Sequence, residues 1–374
     1  MLPPQKNQLN IAYFVSAHGF GHAARSAAVM AAIRQRSPEV RFHIFTQAPD
    51  WFFADTLADF HTYHPMETDV GLVQRSPLEE DMEETLTRLD ALFPLRPDHL
   101  ADCCRQVAAS DCRLVICDIA ALGIAVAEAL GLPSILVENF TWDWIYTDYP
   151  QAACPRALMP RLRTHARYQA KLYALARYRI QAEPVCRPLA VDLTAPPTCR
   201  PSRTPRAVTR KQLGIEGETP LVLVTMGGTP VTYTFLNRLR ERSGFRFILP
   251  GIGEALVHED NLIKMPARSA FKHPDLITAA DVVVGKVGYS TLSEIYHAGT
   301  PFGFVQRPDF PESQPLADYI SAHMPSMEIT PEDFQTGRWG DRLAPLLALP
   351  RATRRTPNGA EVIADFVIDR LAPR

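Results

Sequence analysis

The chain has 374 residues, 46% of them hydrophobic, which is enough for two buried cores and suggests two domains. Its 39 basic and 41 acidic side chains leave a net charge of -2, which excludes a global preference for nucleic acid. The seven cysteines, Cys103, Cys104, Cys112, Cys117, Cys154, Cys186 and Cys199, are odd in number and show no Cys-x-x-Cys pair, so they read as reduced thiols of a cytosolic protein.

Met1 to Asn10 lacks the apolar stretch of a signal peptide, and nowhere is an apolar run long enough to span a bilayer. A soluble, cytoplasmic protein is expected, with peripheral membrane contact left open. Ile11 to Ser16 reads as a strand, and His18-Gly-Phe-Gly-His22 turns it into a helix running toward Arg36, before a strand over Arg41 to Thr46. The form G-x-G-x-x-A raises a dinucleotide site, but the second strand ends Phe45-Thr46-Gln47 without the acidic residue that would hold an adenosine ribose. Asp69 to Arg113 is expected to be helical, its acidic cluster Glu79 to Glu84 a solvated face. Leu114 to Cys117 is a strand ending at Asp118, a helix follows to Leu130, and Ser134 to Val137 is a further strand. This alternation predicts an α/β fold with a parallel sheet wound on both faces, and ligand-binding residues after the carboxyl ends of its strands. His18, His22, Asp118 and the stretch from Glu138 to Asp143 fall there.

Pro155 to Arg179 reads as a basic helix, either a solvated face or a contact for an anionic acceptor or membrane surface. Pro196-Pro197, Pro201 and Pro205 punctuate the best linker in the chain. The alternation then restarts with Pro220 to Met226, and strands are expected near Phe245 to Leu249, Leu262 to Met265, Val282 to Val284 and Phe302 to Val305. The tail from Asn358 to Leu371 has apolar residues at helical spacing. The expected domains are 1–200, 201–357 and a terminal helix, 358–374.

The richest stretch is Asp281 to Pro301. Gly285 and Gly288 break an apolar strand, and Ser290 or Thr291 can cap the helix that follows until Gly299. Free N–H groups and the positive dipole end at that helix start suit an anion such as a diphosphate, and Lys286 adds a cation. Glu294, about one turn in, can accept hydrogen bonds from vicinal sugar hydroxyls. A βα turn that binds nothing is the other account.

His18 and His22 flank a glycine-rich turn, and a neutral imidazole can take a proton from an attacking hydroxyl, with Asp118 orienting one of them. Capping the helix or satisfying backbone groups is the alternative, and the choice between the two histidines leans only slightly to His22. Gly227-Gly228-Thr229 admits close approach of a phosphate or sugar, or forms a tight βα turn. Glu312 and Gln314 can bind sugar hydroxyls. Asn139, Trp142 and Asp143, in Asn139-Phe-Thr-Trp-Asp-Trp144, offer an aromatic platform for a sugar acceptor or pack in a core.

The run G-K-V-G-Y-S-T-L-S-E-I-x-x-A-G-T-P from Gly285 resembles the nucleotide-diphosphate-sugar site of GT-B glycosyltransferases, such as the bacterial N-acetylglucosaminyltransferase that completes the lipid-linked peptidoglycan precursor. The set H-G-F-G-H from His18, N-F-T-W-D-W-I-Y from Asn139, M-G-G-T-P from Met226, G-K-V-G-Y-S-T from Gly285, T-G-R-W from Thr336 and N-G-A-E from Asn358 is similar in order and spacing to the glycosyltransferase-like N-terminal region of plant L-arabinokinases and its bacterial stand-alone relatives. No glycine- and serine-rich ATP loop of the kinase half is present, so sugar kinase activity is not implied.

The resemblance implies two Rossmann-like domains facing across a cleft, with the terminal helix crossing back onto the first. It implies that the start of the helix at Gly288 to Thr291, with Lys286, holds the donor diphosphate, that Glu294 holds ribose, and that Lys264 and Met265 lie where the base is recognised. It places Glu312 and Gln314 at the donor sugar. The expected activity is inverting, metal-independent transfer from a nucleotide-diphosphate sugar, most readily a UDP-sugar, to a small-molecule, glycan or lipid-linked acceptor, with no cofactor. Hydrolysis of the nucleotide sugar and non-catalytic binding of it are the rival expectations.

Overall fold

The computed structural model describes residues 9–76, 79–228 and 232–371. Its framework is two seven-stranded sheets. In the first, the strand Leu9–Val15 lies between Val40–Thr46 and Cys112–Asp118, pairing in parallel with both, and its residues Ile11 to Val15 are fully buried. The order across the sheet is His61–Pro65, Val40–Thr46, Leu9–Val15, Cys112–Asp118, Ser134–Glu138, Tyr178–Ala182 and Leu193–Ala195. Such near-continuous apolar runs follow from helices covering both faces, as the connections of a parallel sheet require.

The second sheet centres on Leu221–Thr225, flanked by Arg246–Pro250 and Val282–Lys286. Leu262–Met265 and the antiparallel edge strand Val257–Glu259 extend one side, Phe302–Val305 and Ser326–Glu328 the other. Gly285 continues its strand and does not break it. A Cβ there would lie 2.0 Å from the Thr225 carbonyl oxygen, so the glycine serves the close approach of two strands.

Two further expectations are corrected. The stretch from Asp69 to Arg113 is not helical throughout: it contains a short antiparallel pair, Gln74–Ser76 and Glu79–Glu80, then the helices Met82–Leu92 and Pro97–Ala109. Asp81 of the acidic cluster caps the first of these, accepting a bond from the Glu84 N–H at 3.1 Å. The basic helix ends at Tyr173, because Tyr178–Ala182 is drawn into the sheet beside Ser134–Glu138. Sheet pairing there overrides local helix propensity.

The helix Gly359–Leu371 packs Ala360, Ile363, Ala364 and Val367 into the core formed by the first sheet and the helix Gly21–Arg36. Asn358, just before this helix, clasps the connection between the two sheets, donating from Nδ2 to the Cys199 carbonyl at 2.8 Å and accepting from the Cys199 N–H at 3.2 Å. Among the described residues no helix is long and apolar enough to cross a membrane.

Candidate functional site

The carboxyl ends of both sheets border one cavity of about 290 Å³ between the halves. On the first side, the strand Leu9–Val15 delivers the chain into a turn where Gly19 adopts φ +67°, and the helix Gly21–Arg36 starts at once. One turn of that helix places His22 and Arg25 side by side over the end of Cys112–Asp118. His22 Nδ1 lies 2.8 Å from Asp118 Oδ1. Arg25 grips the same carboxylate through Nε at 2.8 Å and Nη2 at 2.6 Å, and Ser26 Oγ donates to it at 3.1 Å. Asp118 is fully buried. Burial alone would raise its pKa, but the Arg25 guanidinium and the His22 bond outweigh that and hold it at about 2. A permanently ionised carboxylate at Nδ1 fixes the imidazole so that Nε2 is the nitrogen open to a proton.

His18 also borders the cavity, set edge-on to Trp142 with ring centroids 5.0 Å apart. Burial, then the Arg307, His22 and Lys286 charges, keep its pKa well below the usual histidine value, so it stays neutral. Beneath the pair lies Asp69, which accepts from Ser16 Oγ and from Trp142 Nε1, each at 3.0 Å. Burial lifts it to about 6 against the pull of His22 and those bonds.

A chain of bonds crosses from this half to the other. Arg25 Nη1 donates to Asn139 Oδ1 at 2.7 Å, and Asn139 Nδ2 donates to Glu312 Oε1 at 2.9 Å. The Arg25 guanidinium also lies 4.6 Å from the centre of the Tyr289 ring, on the first residue of the helix Tyr289–Ala298.

On the second side the N-cap of that helix is Gly288, not Ser290 or Thr291, which sit inside its first turn at the cavity wall. Gly288 supplies the extended cap conformation and lines the cavity together with Ser290 and Thr291, so the start of the helix lies at the cavity wall. Lys286 ends the preceding strand and borders the cavity. Burial and then Arg307 lower it to about 7, against the pull of Glu312 and Glu80. Gly227, at φ +75°, and Gly228 border the cavity too. A Cβ on Gly228 would come within 2.3 Å of the Phe20 ring, so close packing of the two halves requires this glycine. Thr229 lies outside the described residues. Glu294 points into the cavity wall already paired: Oε1 accepts from Arg200 Nε at 3.2 Å and Nη2 at 3.0 Å, and Oε2 lies 2.6 Å from His273 Nδ1.

Of the remaining candidates only Glu312 borders the cavity. Lys264 pairs with Glu259 at 2.7 Å, and the Met265 carbonyl accepts from the N–H groups of Gly251 and Ile252, so neither borders the cavity. Gln314 is exposed and bonds Asp318 one turn along its own helix. Trp142 is fully buried, and core packing is the account its burial supports. Asp143 follows it on the helix Trp142–Asp148, away from the cavity, and Asn139 serves as a strut between the halves. Glu312, buried, borders the cavity with one oxygen given to Asn139 and the other 3.5 Å from Arg307.

Several site residues escaped the sequence reading: Arg25, Asp69, Arg200, His273, Arg307 and the aromatic pair Trp51 and Phe52 beside Phe20. Arg25 alone left a signal, a charge inside the small-residue run Ala23-Ala24-Arg25-Ser26-Ala27-Ala28 one turn from His22. The others come from short helices, loops and the linker, and only folding gathers them at or beside the cavity.

No protein-family model matches the chain. L-arabinokinase of Arabidopsis thaliana is 29% identical over 366 residues, covering 96% of this chain and 34% of that protein. The chain thus spans about a third of the length of the curated relative it matches. Among solved structures, the calicheamicin glycosyltransferase CalG4 aligns over 98% of this chain and 100% of its own with a TM-score of 0.63 and 14% identity. LpCGTa in complex with UDP aligns over the same shares with a TM-score of 0.62 and 14% identity. A UDP-glucosyltransferase from Polygonum tinctorium capable of glucosylating indoxyl aligns over 98% and 99% with a TM-score of 0.59 and 14% identity. Two parallel α/β halves closing on a cavity at their strand ends, matched along nearly the whole chain by these enzymes, give this protein the GT-B fold of glycosyltransferases.

Proposed function

We propose that the chain transfers a sugar from a nucleotide-diphosphate sugar, a UDP-sugar in the first instance, to a hydroxyl acceptor with inversion and without a metal. The observation that carries this reading is that His22, tethered to Asp118, borders the same cavity as Lys286, the start of the helix Tyr289–Ala298 and Glu294. Nε2 of His22 takes the acceptor's proton as its oxygen attacks the anomeric carbon, and the bond to the diphosphate breaks on the opposite face. The departing anion is stabilised by the first helical amides, Ser290, Thr291 and Lys286, whose charge an approaching diphosphate restores. Glu294 meets the ribose and Glu312 the donor sugar. A UDP complex and a UDP-glucosyltransferase among the structural relatives favour uracil as the base. The L-arabinokinase likeness leaves the acceptor open, because two thirds of that protein has no counterpart here.

The test is a calorimetric titration with UDP, GDP, TDP and their sugars, followed by NMR of the products with a panel of acceptors, for the wild type and His22→Ala. Nucleotide binding retained in the variant with transfer lost supports the assignment, and a product of inverted anomeric configuration supports the displacement. Release of free sugar with no added acceptor identifies a hydrolase. No binding of any nucleotide refutes the reading.

A further inference from the structure

The carboxylate assigned to the ribose is already engaged. Glu294 is 4% exposed, and an ionised carboxylate offers about four lone-pair sites. Arg200 takes two of them through Nε and Nη2, and His273 takes a third. One site remains, and the two vicinal hydroxyls of a ribose need two.

Arg200 and His273 are not equally able to leave. His273 opens the helix His273–Ala279 and its other ring nitrogen lies 3.4 Å from Thr225 Oγ1, so it is held from both sides. Arg200 projects from the connection between the halves, and its guanidinium rests on the Phe52 ring, 4.7 Å from the ring centre, on the opposite half of the molecule. The backbone on either side of it is pinned, by Asn358 to Cys199 and by Asp275, which accepts from Ser202 Oγ, from the Arg203 and Thr204 N–H groups and from Thr204 Oγ1. Its side chain can therefore rotate away without moving the connection.

We infer that Arg200 is a determinant of nucleotide affinity that occupies Glu294 in competition with the ribose, and that a nucleotide binds by displacing its guanidinium. The inference rests on the nucleotide-sugar reading of this cavity. Its sign is opposite to the ordinary expectation for a cation beside an anionic ligand. Removing Arg200 tightens binding, because the ribose hydroxyls no longer have to break a charge-assisted double hydrogen bond.

The experiment is calorimetric titration of the wild type, Arg200→Gln and Arg200→Lys with UDP and with uridine, which carries the ribose without the charge. Arg200→Gln binds UDP on the order of tenfold tighter, the lysine variant lies between, and uridine gains at least as much as UDP. Unchanged or weaker binding by Arg200→Gln overturns the inference while leaving the nucleotide site standing. Absence of UDP binding in all three proteins overturns the nucleotide-sugar reading itself, and this inference with it. If the glutamine variant does not fold, the wild type answers alone: the Arg200 Nε–H resonance, assigned against Arg200→Lys, loses its exchange protection when UDP is added. Retained protection at UDP saturation refutes displacement.

Discussion

Arg25→Met tests the electrostatic centre of the first half. Arg25 is 1% exposed and supplies two of the four hydrogen bonds that Asp118 accepts. Its removal leaves a carboxylate at zero exposure with His22 and Ser26 only, and breaking a buried pair from one side costs roughly 3–5 kcal/mol. The carboxylate gives a consistent scale, since a group held at about 2 against 3.8 is worth on the order of 2 kcal/mol to the folded state. That stability is present above the unfolded value and is lost as pH falls through the folded one. In Arg25→Met burial acts unopposed by the guanidinium, so Asp118 moves up and the variant regains stability on protonation. The gap between wild type and variant therefore narrows as pH falls from 7 toward 4. Urea unfolding at several pH values, with Asp118→Leu and the double variant completing the cycle, measures this. The double variant, with two apolar side chains in place of the pair, should lose less than the sum of the two single losses by about 3 kcal/mol. Single losses under about 1 kcal/mol that simply add would refute the account.

UDP affinity should fall as pH rises from 7 to 9, because Lys286 is lowered to about 7 and only its charged form attracts the diphosphate. Calorimetry on Lys286→Met should show a flatter profile, and an equally steep one would assign the effect to another group. Gly285→Ala should lower thermal stability by roughly 1–3 kcal/mol or more, since the new methyl meets the Thr225 carbonyl at 2.0 Å; an unchanged melting temperature would contradict the tight strand pairing. Gln314→Ala should leave binding of UDP-glucose unchanged, as that side chain faces solvent and Asp318. Weaker binding would return Gln314 to the donor site.

The second half of the site was the more legible. A glycine-bounded βα turn with Lys286, Ser290, Thr291 and Glu294 is local chemistry within ten residues, and chain connectivity alone places it at one strand end. His22 and Asp118 were legible as a pair only through the rule that ligand residues follow parallel strands. The partners of these groups were not. Arg25, Asn139 and Glu312 form one bonded chain from positions more than a hundred residues apart, and Asn139 carried no mark distinguishing a strut from an acceptor contact. Trp142 illustrates the same limit, since an aromatic beside polar groups has one composition whether it faces a sugar or a core.

The sequence by itself determined the alternating α/β pattern and the strand ends where the candidate site residues gather, because apolar periodicity, glycine position and chain direction are local properties. Tertiary structure decided which charges meet. Arg25 and Asp118 meet where a helix packs over the first sheet, Asn139 and Glu312 meet across the two halves, and Arg200 reaches Glu294 from the connection between them. Burial and the charges beside each group then set the protonation of Asp118, Asp69 and Lys286, a quantity that depends on neighbours in space and not on neighbours in the chain.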